Sequence, residues 1–420
     1  MESTRRQFIV GCSAAIAALA GARTSAFAFS DGRAAATDKI LVVIFLRGGI
    51  DALNLVAPVD DKNYIAARPT YLRLLDQKQG DQLPGLALNN GYAGAGDFRM
   101  HPGAAPLHEL YQSGKLALVH GCGLKNGTRS HFEAMDLIER GIAENQQMPI
   151  GNGWIARYLK ETGAKGFIPA AAMDGALPAS MIGSSSSMAL PNLEAFTFYG
   201  DGEQEKALRA AYGGTSPLEV AGSTAWKALD AVRSKLPKKP DGGIAPYQPR
   251  EGVKYPDMGL ANQLKNLAQL IKMDVGLTVA TVDYGGWDTH QDQAYNFYAR
   301  TNELSQSLAA FYNDLAPIHD RLSVVVMSEF GRRLKSNESG GTDHGYGGML
   351  MVLGGSVRGG RMLGKWPGLA NEQLDQGADL GITTDYRSVL SEVLQSSLGL
   401  QNPGVIFPGF ASKDRLGLYG

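Results

Sequence analysis

The chain has only two cysteines in 420 residues. That excludes a disulfide scaffold, an iron–sulfur protein and a four-thiolate zinc site. Its net charge is −1, so no global basic field exists to draw in nucleic acid or anionic lipid. Beyond the first thirty residues there is no apolar run approaching the roughly 20 residues of a membrane span. Glycine and proline together stay below the share that marks low-complexity disorder. Neither a repeat with a period of roughly 20–50 residues nor a heptad pattern is present. What is there is a 44% hydrophobic chain, long enough to build a large core. It reads as a soluble globular protein.

Residues 1–28 have the pattern of a twin-arginine signal peptide. Ser3-Thr4-Arg5-Arg6-Gln7-Phe8 precede an apolar, small-residue stretch over 9–22, and Ala26-Phe27-Ala28 fits a cleavage site. The alternative, an N-terminal anchor helix, is disfavoured because the apolar stretch is short. Cys12 sits near the start of that stretch, whereas a lipidated cysteine would follow it. The expectation is export through the twin-arginine translocase to the periplasm or beyond, with no stable membrane anchor. Only Cys122 would then remain, without an intramolecular disulfide partner.

Residues 39–46 are continuously apolar and β-branched, as in a strand buried on both faces of a parallel sheet. Further strand-like runs fall at 116–120, 277–282, 322–327 and 349–353. Helical patterns fall at 104–112, 132–140, 260–273, 302–315 and 386–398. The alternation predicts an α/β fold, a mostly parallel sheet with helices on both faces. Between 174 and 256 the pattern breaks down through a serine run and a Pro-, Gly- and Lys-rich stretch. This region is expected to be an insertion or cap on the main sheet.

Open parallel sheets place their sites beyond the carboxyl ends of the strands. Acids and histidines stand there repeatedly: Asp51 after the first run, Asp288 and His290 after the third, Glu329 after the fourth, and Asp343-His344 just before the fifth. Each has a plain alternative as a turn, cap or solvated residue. Together they form a mixed histidine and carboxylate set of the kind that zinc, manganese or iron accepts; calcium and magnesium prefer more carboxylates. His101, His108, His120 and His319 are expected at the surface or in the core. The glycines over 121–127 match a dinucleotide fingerprint only loosely, because no second strand with a terminal acid follows. Thr128-Arg129-Ser130-His131 opens a helix instead. There Ser130 is either a nucleophile beside free N–H groups or an N-cap forming a box with Glu133.

Phe45-Leu46-Arg47-Gly48-Gly49-x-Asp51, Ser130-His131-Phe132, Gly286-Trp287-Asp288-Thr289-His290, Ser328-Glu329-Phe330-Gly331-Arg332 and Thr342-Asp343-His344-Gly345 together resemble the exported domain-of-unknown-function 1501 family. That family is grouped with the sulfatase-like and alkaline-phosphatase-like superfamily. The resemblance implies one such domain over 38–420, within which the pattern-poor stretch 174–256 is expected to be the insertion. It implies one or two divalent ions (zinc, manganese, calcium or magnesium) held by Asp51, Asp288, His290, Glu329, Asp343 and His344. It implies Ser130, or else Thr128, as attacking hydroxyl, with Arg47, Arg129 or Arg332 gripping the ester oxygens. The activity implied is hydrolysis of a phosphate or sulfate ester on a small molecule or polymer, with no nucleic-acid partner. The alternative is a non-catalytic or single-metal binding or scaffold protein on the same fold. Phe330 stands where the superfamily has a histidine, and Asp288-Thr289-His290 is more tightly spaced than its usual pair. Without a Cys-x-Pro-x-Arg sequence, a formylglycine mechanism is not supported.

Overall fold

The computed structural model describes residues 38–144, 151–194, 196, 198–241, 243–412 and 415–420. The signal-like segment 1–28 lies outside these residues. Strand β1 (Ile40–Leu46) is buried at every position, as its unbroken apolar sequence requires of a central strand. It is flanked by β8 (Val279–Tyr284) and β9 (Leu322–Met327), both parallel to it.

Twelve strands are described. β2 (Val56–Pro58), β3 (Leu86–Ala87) and β4 (Phe98–Met100) form a small antiparallel sheet. The main sheet runs β11-β5-β10-β9-β1-β8-β6-β7, with β12 also pairing to β5. Its remaining members are β5 (Leu116–Gly123), β6 (Ala170–Ala172), β7 (Ser187–Ala189), β10 (Gly348–Gly354), β11 (Arg361–Leu363) and β12 (Thr384–Asp385). Only β10 runs against the others. The mostly parallel α/β sheet expected from the sequence is therefore present.

Side chains alternate across β1 and so divide the core in two. Ile40, Val42, Ile44 and Leu46 face α3 (Ala105–Gln112), α8 (Gly259–Lys272) and α9 (Gln293–Asp314). Leu41, Val43 and Phe45 face α4 (His131–Arg140), α5 (Trp154–Thr162) and α10 (Tyr386–Ser396). The short α1 (Ala52–Leu55) and α2 (Lys62–Ala67) follow β1. Within 174–256, β7 extends the sheet edge; α6 (Gly202–Ala211) and α7 (Pro217–Lys235) follow in the chain, and Ala228 and Val232 of α7 join the first of the two cores. No helix among the described residues is long and apolar enough to cross a membrane.

Several elements lie outside the sequence expectation, among them the small antiparallel sheet, helix α5 and the edge strands β6, β7, β11 and β12. β6 and β7 lie in an alanine triplet and after a serine run, sequences without the β-branched signal of a strand. Helix α9 begins at Gln293, nine positions before the expected start, because its first turns bury only Gln293, Phe297 and Thr301 and show no apolar stripe.

Candidate metal centre

The carboxyl ends of β1, β8 and β9 are drawn together by two side chains that leave β9. Glu329, with its side chain fully buried, accepts the Gly48 N–H at 2.8 Å and the Ser328 hydroxyl at 2.9 Å. Arg332, equally buried, donates to the carbonyls of Gly49 (2.7 Å), Gly48 (2.6 Å), Thr342 (2.8 Å) and Trp287 (3.3 Å). It also reaches Asp288 Oδ1 at 2.5 Å. A glycine is required at 48: its φ is +120°, and a Cβ there would stand 2.5 Å from the Asp288 nitrogen. These contacts fix the backbone that presents Asp288.

Around Asp288 three imidazoles converge, on the first turn of α4 (His131), on the loop after β8 (His290) and on the segment before β10 (His344). His344 Nε2 lies 3.0 Å from His131 Nε2, 2.9 Å from His290 Nε2 and 3.1 Å from Asp288 Oδ1. His290 Nε2 lies 3.0 Å from Asp288 Oδ1, and His131 Nε2 lies 3.5 Å from Oδ2. The opposite ring nitrogens decide the tautomers. His131 Nδ1 meets Glu329 at 2.7 Å, His290 Nδ1 meets Asp343 at 3.1 Å, and His344 Nδ1 meets the Arg129 carbonyl at 2.8 Å. The Arg129 carbonyl and ionised Glu329 and Asp343 are pure acceptors, so each neutral ring carries its proton on Nδ1. Three Nε2 lone pairs and a carboxylate then meet with no proton among them.

That arrangement is repulsive unless a cation lies between the donors or one ring takes up a second proton. The ligand atoms of His131, Asp288 and His344 lie within 4.8 Å of one another, and their separations of 3.0–3.5 Å are close to the ~3.3 Å between ligands at zinc's usual bond lengths; His290 joins the cluster through His344 and Asp288. The donor set therefore fits a zinc-class ion, and the acceptors behind each ring are the outer contacts that fix ligand orientation in such sites. Burial pushes the Asp288 carboxyl up, but the bond and charge of Arg332 outweigh it and hold the pKa down at about 2. The Glu329 carboxyl is likewise held below its ordinary value: burial opposes this, and the His131 bond leads the groups that overcome it. The bond to Glu329 raises His131, while burial lowers His344.

Of the expected metal ligands, Asp288, His290 and His344 come together here. Glu329 and Asp343 stand one layer back, each behind a histidine. Asp51 does not join them: its two oxygens accept from the Leu53 and Asn54 N–H groups, from Gln293, and from both terminal nitrogens of Arg68. It is the buried cap of α1 in an ion pair with no lone pair to spare, which corrects its assignment as a ligand. The three arginines are also committed. Arg47 is held by Glu139 and Asp283, Arg129 by Asp379 and Asp375, and Arg332 by the carbonyls and Asp288. Ser130 is exposed at the N-cap of α4, and its hydroxyl makes no capping bond. Thr128 instead donates to Glu133 at 2.7 Å, so the capping box expected of Ser130 is absent.

His131 is the member of this cluster that was not among the residues expected from the sequence. It follows a strand and opens a helix, the same placement that singled out the others, but attention fell on the hydroxyl beside it. Phe330 is buried against its ring and that of His344, with centroids 4.8 and 5.0 Å away. The position expected of a histidine is thus an apolar wall of the centre.

Residues 249–406 match the model of the family DUF1501, described as a protein of unknown function. The resemblance drawn from Gly286–His290, Ser328–Arg332 and Thr342–Gly345 is confirmed over that stretch. No curated protein matches the chain. Among solved structures, the chain is similar to the C-terminal periplasmic domain of EptC from Escherichia coli in complex with zinc, at 10% identity and a TM-score of 0.34 over 79% of this chain and 77% of that one. It is similar to the PsFucS1 sulfatase of a Pseudoalteromonas species at 10% identity and a TM-score of 0.31, over 86% and 68% of the two chains. A third similarity is to alkaline phosphatase from the Antarctic bacterium TAB5, at 9% identity and a TM-score of 0.29 over 86% and 99%. The likeness is confined to the fold.

Proposed function

We propose that the chain is a metal-dependent hydrolase of a phosphate or sulfate ester, acting outside the cytoplasm after twin-arginine export. The observation that carries this is the meeting of three imidazole lone pairs and the Asp288 carboxylate without a proton to share. A zinc-class ion held by His131, His344 and Asp288, with His290 against the last two, would supply Lewis-acid polarisation of an ester oxygen. Glu329, Asp343 and the Arg129 carbonyl keep the three rings in the ligating tautomer, and Arg332 keeps Asp288 ionised. Ser130 is the attacking group. Its hydroxyl is uncommitted, and the free N–H groups of the first turn of α4 favour negative charge there. Attack forms a seryl ester and releases the alcohol; water then frees the oxyanion and restores the hydroxyl.

A second proposal has one observation in its favour. Arg47, Arg129 and Arg332 all have acidic or carbonyl partners within the protein, so none of the three is free to grip an ester oxygen. That suits a single-ion binding or scaffold protein. Elemental mass spectrometry on the folded chain beside Asp288→Ala tests the metal, and turnover of p-nitrophenyl phosphate and sulfate tests the chemistry. Hydrolysis that Ser130→Ala abolishes while retaining its metal supports the hydrolase. Bound metal with no turnover supports the second proposal, and a metal-free protein refutes both.

A further inference from the structure

One part of the centre depends on a residue far from it in sequence. The Arg129 carbonyl is the acceptor that sets the His344 tautomer, and Arg129 is followed directly by Ser130 and His131. The placement of one short segment therefore governs a ligand, the orientation of a second ligand and the exposed hydroxyl. The Arg129 side chain holds that segment to a buried partner. Its Nε donates to Asp379 Oδ2 at 2.9 Å, Nη2 contacts the same oxygen, and Nη2 also reaches Asp375 at 3.2 Å.

Asp379 is a rigid anchor. Its side chain is fully buried. Its backbone pairs with Asp375 and Arg333, the next residue on the same turn carries a carbonyl that accepts the Gly347 N–H at 2.8 Å, and Leu334 donates to Ala378 at 3.1 Å. The carboxylate is poorly served as a purely structural ion pair. Its Oδ1 has no hydrogen-bond partner, and the nearest further cation, Arg333 Nε, is 3.8 Å away. Burying a carboxylate with one oxygen unsatisfied costs stability that such a pair does not fully return.

We propose that Asp379 is a positioning residue for the metal centre, acting through Arg129 to fix the 128–131 segment. The inference rests on the metal-centre reading above and adds the residue that holds it in register. Outer partners of metal ligands typically contribute about 10–100-fold in affinity.

The test measures Co²⁺ affinity by chelator competition, together with the visible absorption of the bound ion, on the full chain. Asp379→Asn and Arg129→Gln should each weaken Co²⁺ binding about tenfold or more and alter the spectrum. The double variant should lose little beyond either single one, because both cut the same link. A lowered Tm of the metal-free variants with unchanged affinity and spectrum would overturn the proposal, as would additive losses. If Asp379→Asn does not fold, Arg129→Lys, which keeps the charge but loses the fork, carries the same expectation. Failure of the unmodified protein to bind Co²⁺ removes the metal centre and this proposal together. Normal binding by the unmodified protein and its variants alike removes this proposal alone.

Discussion

Glu329→Gln separates ligand orientation from fold stability. Glu329 accepts from Gly48, His131 and Ser328 with its side chain fully buried. A glutamine has the same shape, and with its oxygen toward His131 and Gly48 its amide faces the Ser328 hydroxyl. That hydroxyl still has the Leu46 carbonyl at 2.6 Å to receive its proton. What disappears is the negative charge behind the His131 ring. A hydrogen bond to a charged group contributes about 1.5–3 kcal/mol and a neutral one about 0.5–1.5 kcal/mol, so the loss is about 1–1.5 kcal/mol. At 1.4 kcal/mol per tenfold, Zn²⁺ binding should weaken by roughly 5–12-fold. The metal-free protein should lose stability as well, because the fold holds the Glu329 carboxyl below its ordinary value and so favours the ionised form. Chelator competition for Zn²⁺ and urea denaturation of the metal-free protein measure the two quantities. A destabilised protein that binds Zn²⁺ as tightly as before would refute the argument, since Glu329 would then be a structural acid only.

Gly48→Ala should cost about 2–4 kcal/mol and reduce metal content, because a Cβ at φ +120° meets the backbone of Asp288 and Trp287; denaturant melts beside elemental analysis check it. Asp51→Ala should destabilise the fold by about 3–5 kcal/mol, by stranding the buried Arg68 guanidinium, yet leave metal binding intact. Loss of metal from a folded Asp51→Ala protein would restore Asp51 as a ligand. His101 and His120 are buried as neutral rings, and burial lowers each from 6.5 to about 4. The unfolded chain therefore binds protons that the folded one refuses, and stability should fall as pH drops from about 6.5 toward 4. Melting temperatures across that range should decline less steeply in His120→Gln than in the unmodified protein.

The central strands were legible because β1, β8 and β9 are buried at nearly every position and rich in valine and other apolar residues. β6 and β7 were not, since alanine and serine give no strand signal and their pairing is decided by the neighbours they meet. In the site, the strand-end rule located Asp288, His290 and His344 without any knowledge of their contacts. It could not separate ligands from the acids behind them: Glu329 and Asp343 differ from Asp288 only in which ring nitrogen they face. Asp51 satisfied the rule equally well, and only Arg68, seventeen positions on, reveals it as half of a buried pair. The arginines misled for the same reason. A guanidinium after a strand looks available until its partners are seen, and Asp379, the partner of Arg129, lies 250 residues away.

His131 and His344 are 213 residues apart, and neither belongs to the segment after β9 that bears Glu329. Their nitrogens meet only after β5 has paired with β10, β10 with β9, and β9 with β1. Ion uptake therefore belongs to the end of folding and cannot template its beginning. During refolding in the presence of Co²⁺, the visible absorption of the bound ion should rise after tryptophan burial is complete, making the ion a witness that the last long-range pairing has closed.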